Sequence, residues 1–325
     1  MILCADVGAT KTLLGLAVPD GPSGVKVLVS HRYLAIQVPS FEAMVAGFLQ
    51  EVRPVLTQPL TAACFGIAGP VTGHTVQMTN LPWRVDARAM SRQLGGIPVQ
   101  LVNDFRAAAS GIDVLDPDEL ASLQDGQAEV GAPQLVIGAG TGLGVAYRFW
   151  QGDRYDVAPG EGGHIGFSPA NAEQDTAMAR LRPHVGRVVA EHFVSGQGLV
   201  NFHTHLAWAS EASPDVTPAL MGEEVFRRAT QEGDARALHA LHHFLLAYGA
   251  VAGDHALSIL ARGGVFLAGG IAQKCLPYMQ DGQFMAGFRQ KGVYEPLVST
   301  FPVHVVMQPD LGLRGAAVLG ARLRS

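Results

Sequence analysis

Four stretches of the chain hold residue types whose chemistry depends on their spacing. Asp6-Val7-Gly8-Ala9-Thr10-Lys11-Thr12 sets an acid, a glycine and hydroxyls in a tight turn. Backbone N–H groups of such a turn can face a phosphate while the acid faces its magnesium. An ordinary polar hairpin turn explains the stretch equally well, and its spacing matches neither a Walker loop nor a strand-GxGxxG-helix fingerprint. Gly138-Ala139-Gly140-Thr141-Gly142-Leu143-Gly144 is a second turn that lets backbone approach a charged ligand closely. Its GxGxxG match fails at Leu143 and a strand rather than a helix follows, which disfavours a dinucleotide site and leaves a second phosphate loop. Asn103-Asp104 offers an amide and a carboxylate that can grip a hydroxylated ligand, and the carboxylate can take a proton from an attacking hydroxyl. Capping of the next helix by the Asp is the competing role. Pro159-Gly160-Glu161-Gly162-Gly163-His164 places a carboxylate and an imidazole on a glycine-flanked loop, suited to clasping neighbouring hydroxyls. No third ligand nearby supports a metal there. His203, His205, His239, His242 and His243 fall at helical spacing and are expected on partly exposed helix surface rather than as ligands. Trp83, Trp150 and Trp208 are expected in the core.

These motifs need elements to hold them. Ile2-Ala5, Lys11-Val18 and Val25-Leu34 read as three successive strands of a meander. Phe41, Val45, Phe48, Leu49 and Val52 recur at helical spacing behind a capping Ser40, and Ala63-Ile67 reads as the strand that follows. Val99-Val102 forms a strand ending at Asn103-Asp104, with a helix over Phe105-Ile112. Asp113-Pro133, acidic and Gly/Pro-containing, is expected as a connector. From Gln134 the strand, glycine turn, strand pattern repeats, which predicts a duplicated α/β fold. Leu311-Leu323 reads as a closing helix, with Leu313, Ala316, Ala317, Gly320 and Leu323 on one side.

The 325 residues suffice for about two domains. With 23 Lys and Arg against 28 Asp and Glu, and no run of like charge, nucleic acid is excluded as an expected partner. Cys4, Cys64 and Cys275 lie far apart and supply neither a disulfide framework nor a zinc motif. The apolar start carries Asp6 and Lys11 and reads as a strand rather than a secretory signal. No apolar run approaches the ~20 residues of a membrane span. A cytoplasmic setting is the expectation.

Taken together, these residues resemble the bacterial glucokinase family, the zinc-free branch of the sugar kinase, heat-shock protein 70 and actin superfamily. The resemblance spans nearly the whole chain. Its carriers are Leu101-Val102-Asn103-Asp104-Phe105, the glycine turn at 138–145, Pro159-Gly160-Glu161-Gly162-Gly163-His164, Ser195-Gly196-Gln197-Gly198-Leu199-Val200-Asn201, Gly263-Gly264-Val265-Phe266-Leu267-Ala268-Gly269-Gly270-Ile271, and Met78-Thr79-Asn80 with Trp83. It implies a two-domain actin-like ATPase fold, ribonuclease H-like, with a duplicated mixed-sheet core and an interdomain cleft. The expected small domain is 1–103 completed by helix 311–325, and the large domain 104–310. The implied reaction is ATP-dependent phosphorylation of glucose at the 6-hydroxyl. Asp104 is the implied base, and Asn80, Asn103, Asp104, Glu161, His164 and Glu191 the sugar ligands. Asp6, Gly8 and Thr10 would form the first phosphate loop, Asp6 holding Mg2+ through water. Gly140, Thr141 and Gly142 would lie at the phosphates of ATP, and Gly269 and Gly270 near its adenosine. A cytoplasmic homodimer working in glycolysis is also implied.

Two departures from the family pattern stand out. Ala9 replaces the second glycine usual in the first loop, and the cysteine-rich zinc motif of the related repressor/open-reading-frame/kinase family is absent. The rival readings are a kinase for another hexose or an amino sugar, a donor such as ADP or polyphosphate, a sugar-sensing regulator without turnover, and an actin-like polymerising ATPase. The regulator is disfavoured because no DNA-binding segment precedes Met1 and Asp104 is present.

Overall fold

The structure, a computed structural model, describes residues 1–8, 11–21, 24–78, 81, 83–206 and 220–323. Contacts divide the chain into a first unit, Met1–Glu119, Asp153–Pro159 and Gln308–Ser325, and a second unit, Leu120–Gly152 and Gly160–Met307.

In the first unit, β1 (Ile2–Val7), β2 (Lys11–Asp20) and β3 (Gly24–Leu34) form the expected antiparallel meander. Helix α1 (Phe41–Glu51) buries Phe41, Met44, Val45 and Phe48 on one face. Ser40 caps it, its Oγ accepting from the Ala43 N–H at 3.2 Å. The chain returns as β4 (Ala62–Ile67), whose six residues are all buried, as a central parallel strand covered on both faces requires. Short strands β5 (Val71–Thr72), β6 (Thr75–Gln77) and β7 (Arg84–Asp86) make a small sheet of their own. Helix α2 (Ala87–Gln93) leads into β8 (Val99–Asn103) and α3 (Asp104–Gly111). The main sheet runs β3-β2-β1-β4-β8, with β1, β4 and β8 parallel.

The second unit begins with β9 (Leu120–Gln124), a strand inside the stretch expected as a connector; it pairs antiparallel with the last strand of the unit. A hairpin of β10 (Gln134–Ala139) and β11 (Leu143–Trp150) follows; the next strand, β12 (Tyr155–Gly160), belongs to the first unit for all but its last residue. Helices α4 (Ala172–Val185), α5 (Gly196–His205), α6 (Gly222–Gln231) and α7 (Ala235–Ile259) precede β13 (Gly264–Leu267), α8 (Gly270–Met279), α9 (Gln283–Arg289), α10 (Glu295–Val298) and β14 (Val303–Val306). Within the unit the sheet runs β11-β10-β13-β14-β9, with β10, β13 and β14 parallel. The order β11-β10-β13-β14 repeats β2-β1-β4-β8, an antiparallel hairpin continued by two parallel strands, so the expected duplication is present. The core of this unit is aromatic, with Phe193, Phe202, Phe244, Tyr248, Phe284 and Phe288 buried around α7.

Helix α11 (Leu311–Arg322) closes the first unit, packing Leu313, Ala316, Ala317 and Leu319 against Ile2, Cys4, Cys64 and Ala107. The helices α11 and α3 approach so closely that a Cβ at Gly315 would overlap the carbonyl of Ala107. This packing places α3 in the first unit, so the boundary falls after Glu119 rather than after the expected 103. Two further expectations need correction. Trp150 is 40% exposed, lying two residues beyond the last pairing of β11 with β10, Gln134 with Arg148. His243 is buried, since α7 is covered on most of its circumference. Trp83 is buried as expected, and Trp208 lies outside the described residues. The three cysteines are buried and free. Among the described residues no helix is long and apolar enough to cross a membrane.

Candidate active site

In the first unit the chemistry gathers at the carboxyl ends of the parallel strands, where open α/β sheets bind their ligands. The register aligns Asp6 with Gly66 and Val102, and Val7 with Ile67 and Asn103. Gly66 leaves the gap that α3 fills: a Cβ there would lie 2.7 Å from the Ala107 methyl and 3.6 Å from Cα of Asp104. Asp104 therefore sits over the sheet edge at the first residue of α3, near enough to Asp6 for the two charges to interact. Burial, and secondarily the negative Asp104, pushes the carboxyl of Asp6 up to about 7. Gly312, at the start of α11, admits the Asp6 side chain, since a Cβ there would come within 2.6 Å of Oδ2.

Capping of α3 falls to Asn103 rather than to Asp104 alone. The Asn103 Oδ1 accepts from the N–H groups of Phe105 and Arg106, both at 3.0 Å. Asp104 Oδ1 also accepts from the Phe105 N–H, at 2.8 Å. This hydrogen bond fixes the orientation of the Asp104 carboxylate at the helix N-terminus. Gly8 donates its N–H to the Lys11 carbonyl at 3.0 Å, closing the turn between β1 and β2. Thr10 and Asn80 lie outside the described residues.

In the second unit three loops converge on the turn between β10 and β11. Gly140 and Thr141 are exposed at its tip, and the Gly140 N–H donates to the Gly142 carbonyl at 2.8 Å. The Gly196 N–H donates to the Gly140 carbonyl, also at 2.8 Å. Glu191 Oε2 accepts from the Leu143 N–H at 2.7 Å. A Cβ at residue 142 would overlap this carboxylate, so any side chain there would displace Glu191 from the Leu143 amide. Ser195 ties the set together, donating from Oγ to the Glu191 carbonyl at 2.8 Å and capping α5 by accepting from Gly198 at 3.0 Å. Gly269, at φ +91° between β13 and α8, comes beside the Ala139 carbonyl, and Gly270 opens α8.

Glu161 and His164 flank the buried pair Gly162-Gly163. That pair lies so tightly on β11 that a Cβ at Gly162 would meet Val145 at 2.8 Å, while one at Gly163 would overlap the Leu143 carbonyl. Both flanking side chains consequently face solvent, with no hydrogen-bond partner among the described residues. The Ala190 N–H donates to the Ile165 carbonyl at 2.9 Å, which brings the Glu191 turn alongside. Glu191 itself gives one carboxylate oxygen to the glycine loop and keeps Oε1 without a hydrogen-bond partner among the described residues.

Beside these loops a cavity of about 480 Å3 opens between α5, α6 and α8, with Gly196, Leu199, Gly222, Phe226, Ile271 and Lys274 in its walls. Lys274 pairs with Glu223 at 2.8 Å, both side chains well exposed. An apolar slot beside a glycine turn suits a flat ring joined to phosphates. The residues that sequence reasoning left without a role are Gly222, Phe226 and Ile271. The signals for this slot were the Gly263–Ile271 stretch, whose Gly269-Gly270 the resemblance puts near the adenosine, and the glycine-rich start of α5, Ser195-Gly196-Gln197-Gly198.

The Glucokinase family model matches residues 3–323. The glucokinase of Trichormus variabilis is 36% identical over 342 residues, covering 99% of both chains. The crystal structure of a glucokinase from an Antarctic psychrotroph superposes with a TM-score of 0.86 at 25% identity, covering 99% of this chain and 98% of that one. A glucokinase of the related repressor/open-reading-frame/kinase type from Streptomyces griseus, solved with glucose and AMPPNP, shares the fold at a TM-score of 0.63 and 21% identity, covering 99% of each chain. The actin-like sugar-kinase fold follows from these likenesses. With a match across residues 3–323 and a relative this similar along its whole length, the chain belongs to the glucokinase family.

Proposed function

We propose that this enzyme transfers the γ-phosphoryl group of ATP to the 6-hydroxyl of D-glucose, with Asp104 as general base. The carboxylate takes the proton of the hydroxyl as the new O–P bond forms and the bond to the β-phosphate oxygen breaks, giving glucose 6-phosphate and ADP. The observation that carries this reading is the seat of Asp104 at the N-terminus of α3, over Gly66 at the carboxyl ends of β4 and β8. It is supported by membership of the glucokinase family and by the glucose and AMPPNP bound to the Streptomyces griseus structure.

In this reading Glu161, His164, Glu191 Oε1 and the amide of Asn103 hold the sugar hydroxyls, with Asn80 as a further ligand. The exposed tip Gly140-Thr141-Gly142 presents backbone N–H groups to the phosphates, and the slot beside Ile271 and Gly269-Gly270 takes the adenosine. The donor set at the first edge fits a magnesium ion: Asp104 lies close enough to raise the carboxyl of Asp6, and hard oxygen ligands are what Mg2+ prefers. Asp6 would hold the ion through water, and Mg2+ when bound supplies neutralisation of the phosphate charge. Positioning does most of the remaining work, since a hydroxyl is a poor nucleophile until it is held in line. A homodimer in the cytoplasm, acting in glycolysis, completes the proposal; light scattering in solution reads the dimer.

The test is ADP release from Mg-ATP with glucose, mannose, fructose, glucosamine, N-acetylglucosamine or no sugar, with Asp104→Asn as the blank. A glucose-dependent signal lost in the variant supports the reading. A preference for another sugar makes the enzyme a different hexose kinase, and glucose binding by calorimetry without turnover makes it a sensor.

A further inference from the structure

Away from the loops described above, the second unit gathers a carboxylate and two imidazoles. Glu173 lies in the first turn of α4, and His239 and His243 lie four residues apart on α7. That spacing sets both rings on one face of the helix. Glu173 Oε2 is 2.6 Å from Nε2 of His243 and 3.3 Å from Nε2 of His239. The ligand atoms all fall within 4.8 Å of one another, and the two imidazoles stand at 71° with centroids 4.7 Å apart. A tetrahedral ion with bonds of about 2.0–2.1 Å needs ligand atoms roughly 3.3 Å apart. Closing this triangle on an ion therefore takes only small side-chain adjustments.

The surroundings favour an ion over a plain hydrogen-bonded cluster. The Glu173 side chain is 48% exposed and that of His239 35%, whereas His243 is at 8%, so one side of the triangle is anchored and the other opens to solvent. Gln174, next to Glu173, donates to the His243 carbonyl at 3.2 Å and accepts from the Ala170 N–H at 2.9 Å, which holds α4 against α7 at the site. Two nitrogens and one oxygen are a donor set for zinc and its first-row neighbours rather than for magnesium or calcium.

We propose that Glu173, His239 and His243 form a surface site for a zinc-type divalent cation, three protein ligands with water in the fourth position, which clamps α4 to α7. The Nδ1 of His243 is buried with no partner among the described residues, whereas a ligating histidine usually passes that N–H to an acceptor. The missing partner costs roughly 10–100-fold in affinity, so the site exchanges its ion rather than holding it permanently.

Tag-free enzyme, stripped with chelator and exchanged into clean buffer, is titrated with zinc chloride by calorimetry and with cobalt chloride by visible absorption. One ion per chain is expected, with a tetrahedral cobalt spectrum and a higher melting temperature in zinc. Glu173→Gln and His239→Ala change exposed ligands and each should lower zinc affinity at least tenfold while melting like the parent without metal. His205→Ala, which alters the stacked His184/His205 pair on α4 and α5, should leave it unchanged. No binding by the parent, parental affinity in Glu173→Gln or His239→Ala, or the same loss in His205→Ala would each overturn the site.

Discussion

The two units set the same scaffold to opposite kinds of chemistry. In each, a hairpin continues into two parallel strands, β2-β1-β4-β8 in one and β11-β10-β13-β14 in the other. At the edge of the first, the groups that matter are carboxylates, Asp6 from β1 and Asp104 from the helix after β8. At the corresponding edge of the second, β10 ends in a glycine turn, and the exposed groups are backbone amides. One edge gathers negative charge and raises a carboxyl; the other removes side chains so that N–H groups can approach an anion. The lesson is that the sheet supplies position only, and the residues at the strand ends decide whether the edge offers carboxylates, as the proposed proton and cation chemistry needs, or backbone amides, as the proposed phosphate loop needs.

That division can be broken most sharply at Asp104. Asp104→Asn keeps the geometry and removes the base, so kcat should fall about 10²–10⁴-fold with the glucose KM little changed and the fold intact by circular dichroism. Near parental turnover would place the proton elsewhere. Next in size is the sugar clasp. Glu161→Ala should raise the glucose KM about 10–100-fold, as loss of a charged hydrogen bond does, whereas Lys274→Ala at the slot should leave it within about twofold. Equal effects from the two variants would erase the distinction between clasp and slot.

The glycine turn offers a smaller but more specific test. Gly142→Ala drives a methyl into the Glu191 carboxylate. If that displacement costs the ATP transition state the low end of about 1–3 kcal/mol, kcat/KM for ATP should fall about fivefold. In a Glu191→Ala background the same methyl has room, so its additional penalty should shrink; an undiminished penalty would show that the contact is not the cause.

The smallest effect concerns stability. Because the Asp6 carboxyl is raised from 3.8 to about 7, the folded state holds a proton there that the unfolded state has already lost. Stability from this group is therefore present at low pH and is lost as the pH rises through that window. Asp6→Asn should gain melting temperature relative to the parent between pH 4 and pH 7, reaching a lead of a few degrees that then holds. Solvent at the partly exposed carboxylate keeps the gain modest. An identical difference at pH 5 and pH 8 would contradict the coupling.

Local chemistry made much of this legible beforehand. Ser40 before an apolar helical stripe, and Val99-Val102 running into Asn103-Asp104, each specify an element within a few residues, and both stand where expected. What the chain order concealed are facts of tertiary contact. Strand β9 reads as a connector because its mixed burial at a sheet edge leaves no alternation to detect. The carboxylate of Glu191 supports the Leu143 amide across 48 positions of sequence, a link no spacing rule can suggest. The histidines of α7 share a surface pattern, yet how much of a helix is covered depends on its neighbours, and here His243 is buried while His239 is not.

Helix α11 carries one more implication, for the order in which the chain is made. The ribosome makes β1 long before α11, yet Leu313, Ala316 and Ala317 of α11 fill the same cluster as Ile2 and Cys4 of β1, and Gly312 borders Asp6. Domains tend to fold as units during synthesis. The second unit has all its strands once Met307 has emerged. The unit begun first is then completed after the second, and a nascent chain that has not yet reached α11 lacks the helix that packs beside Asp6.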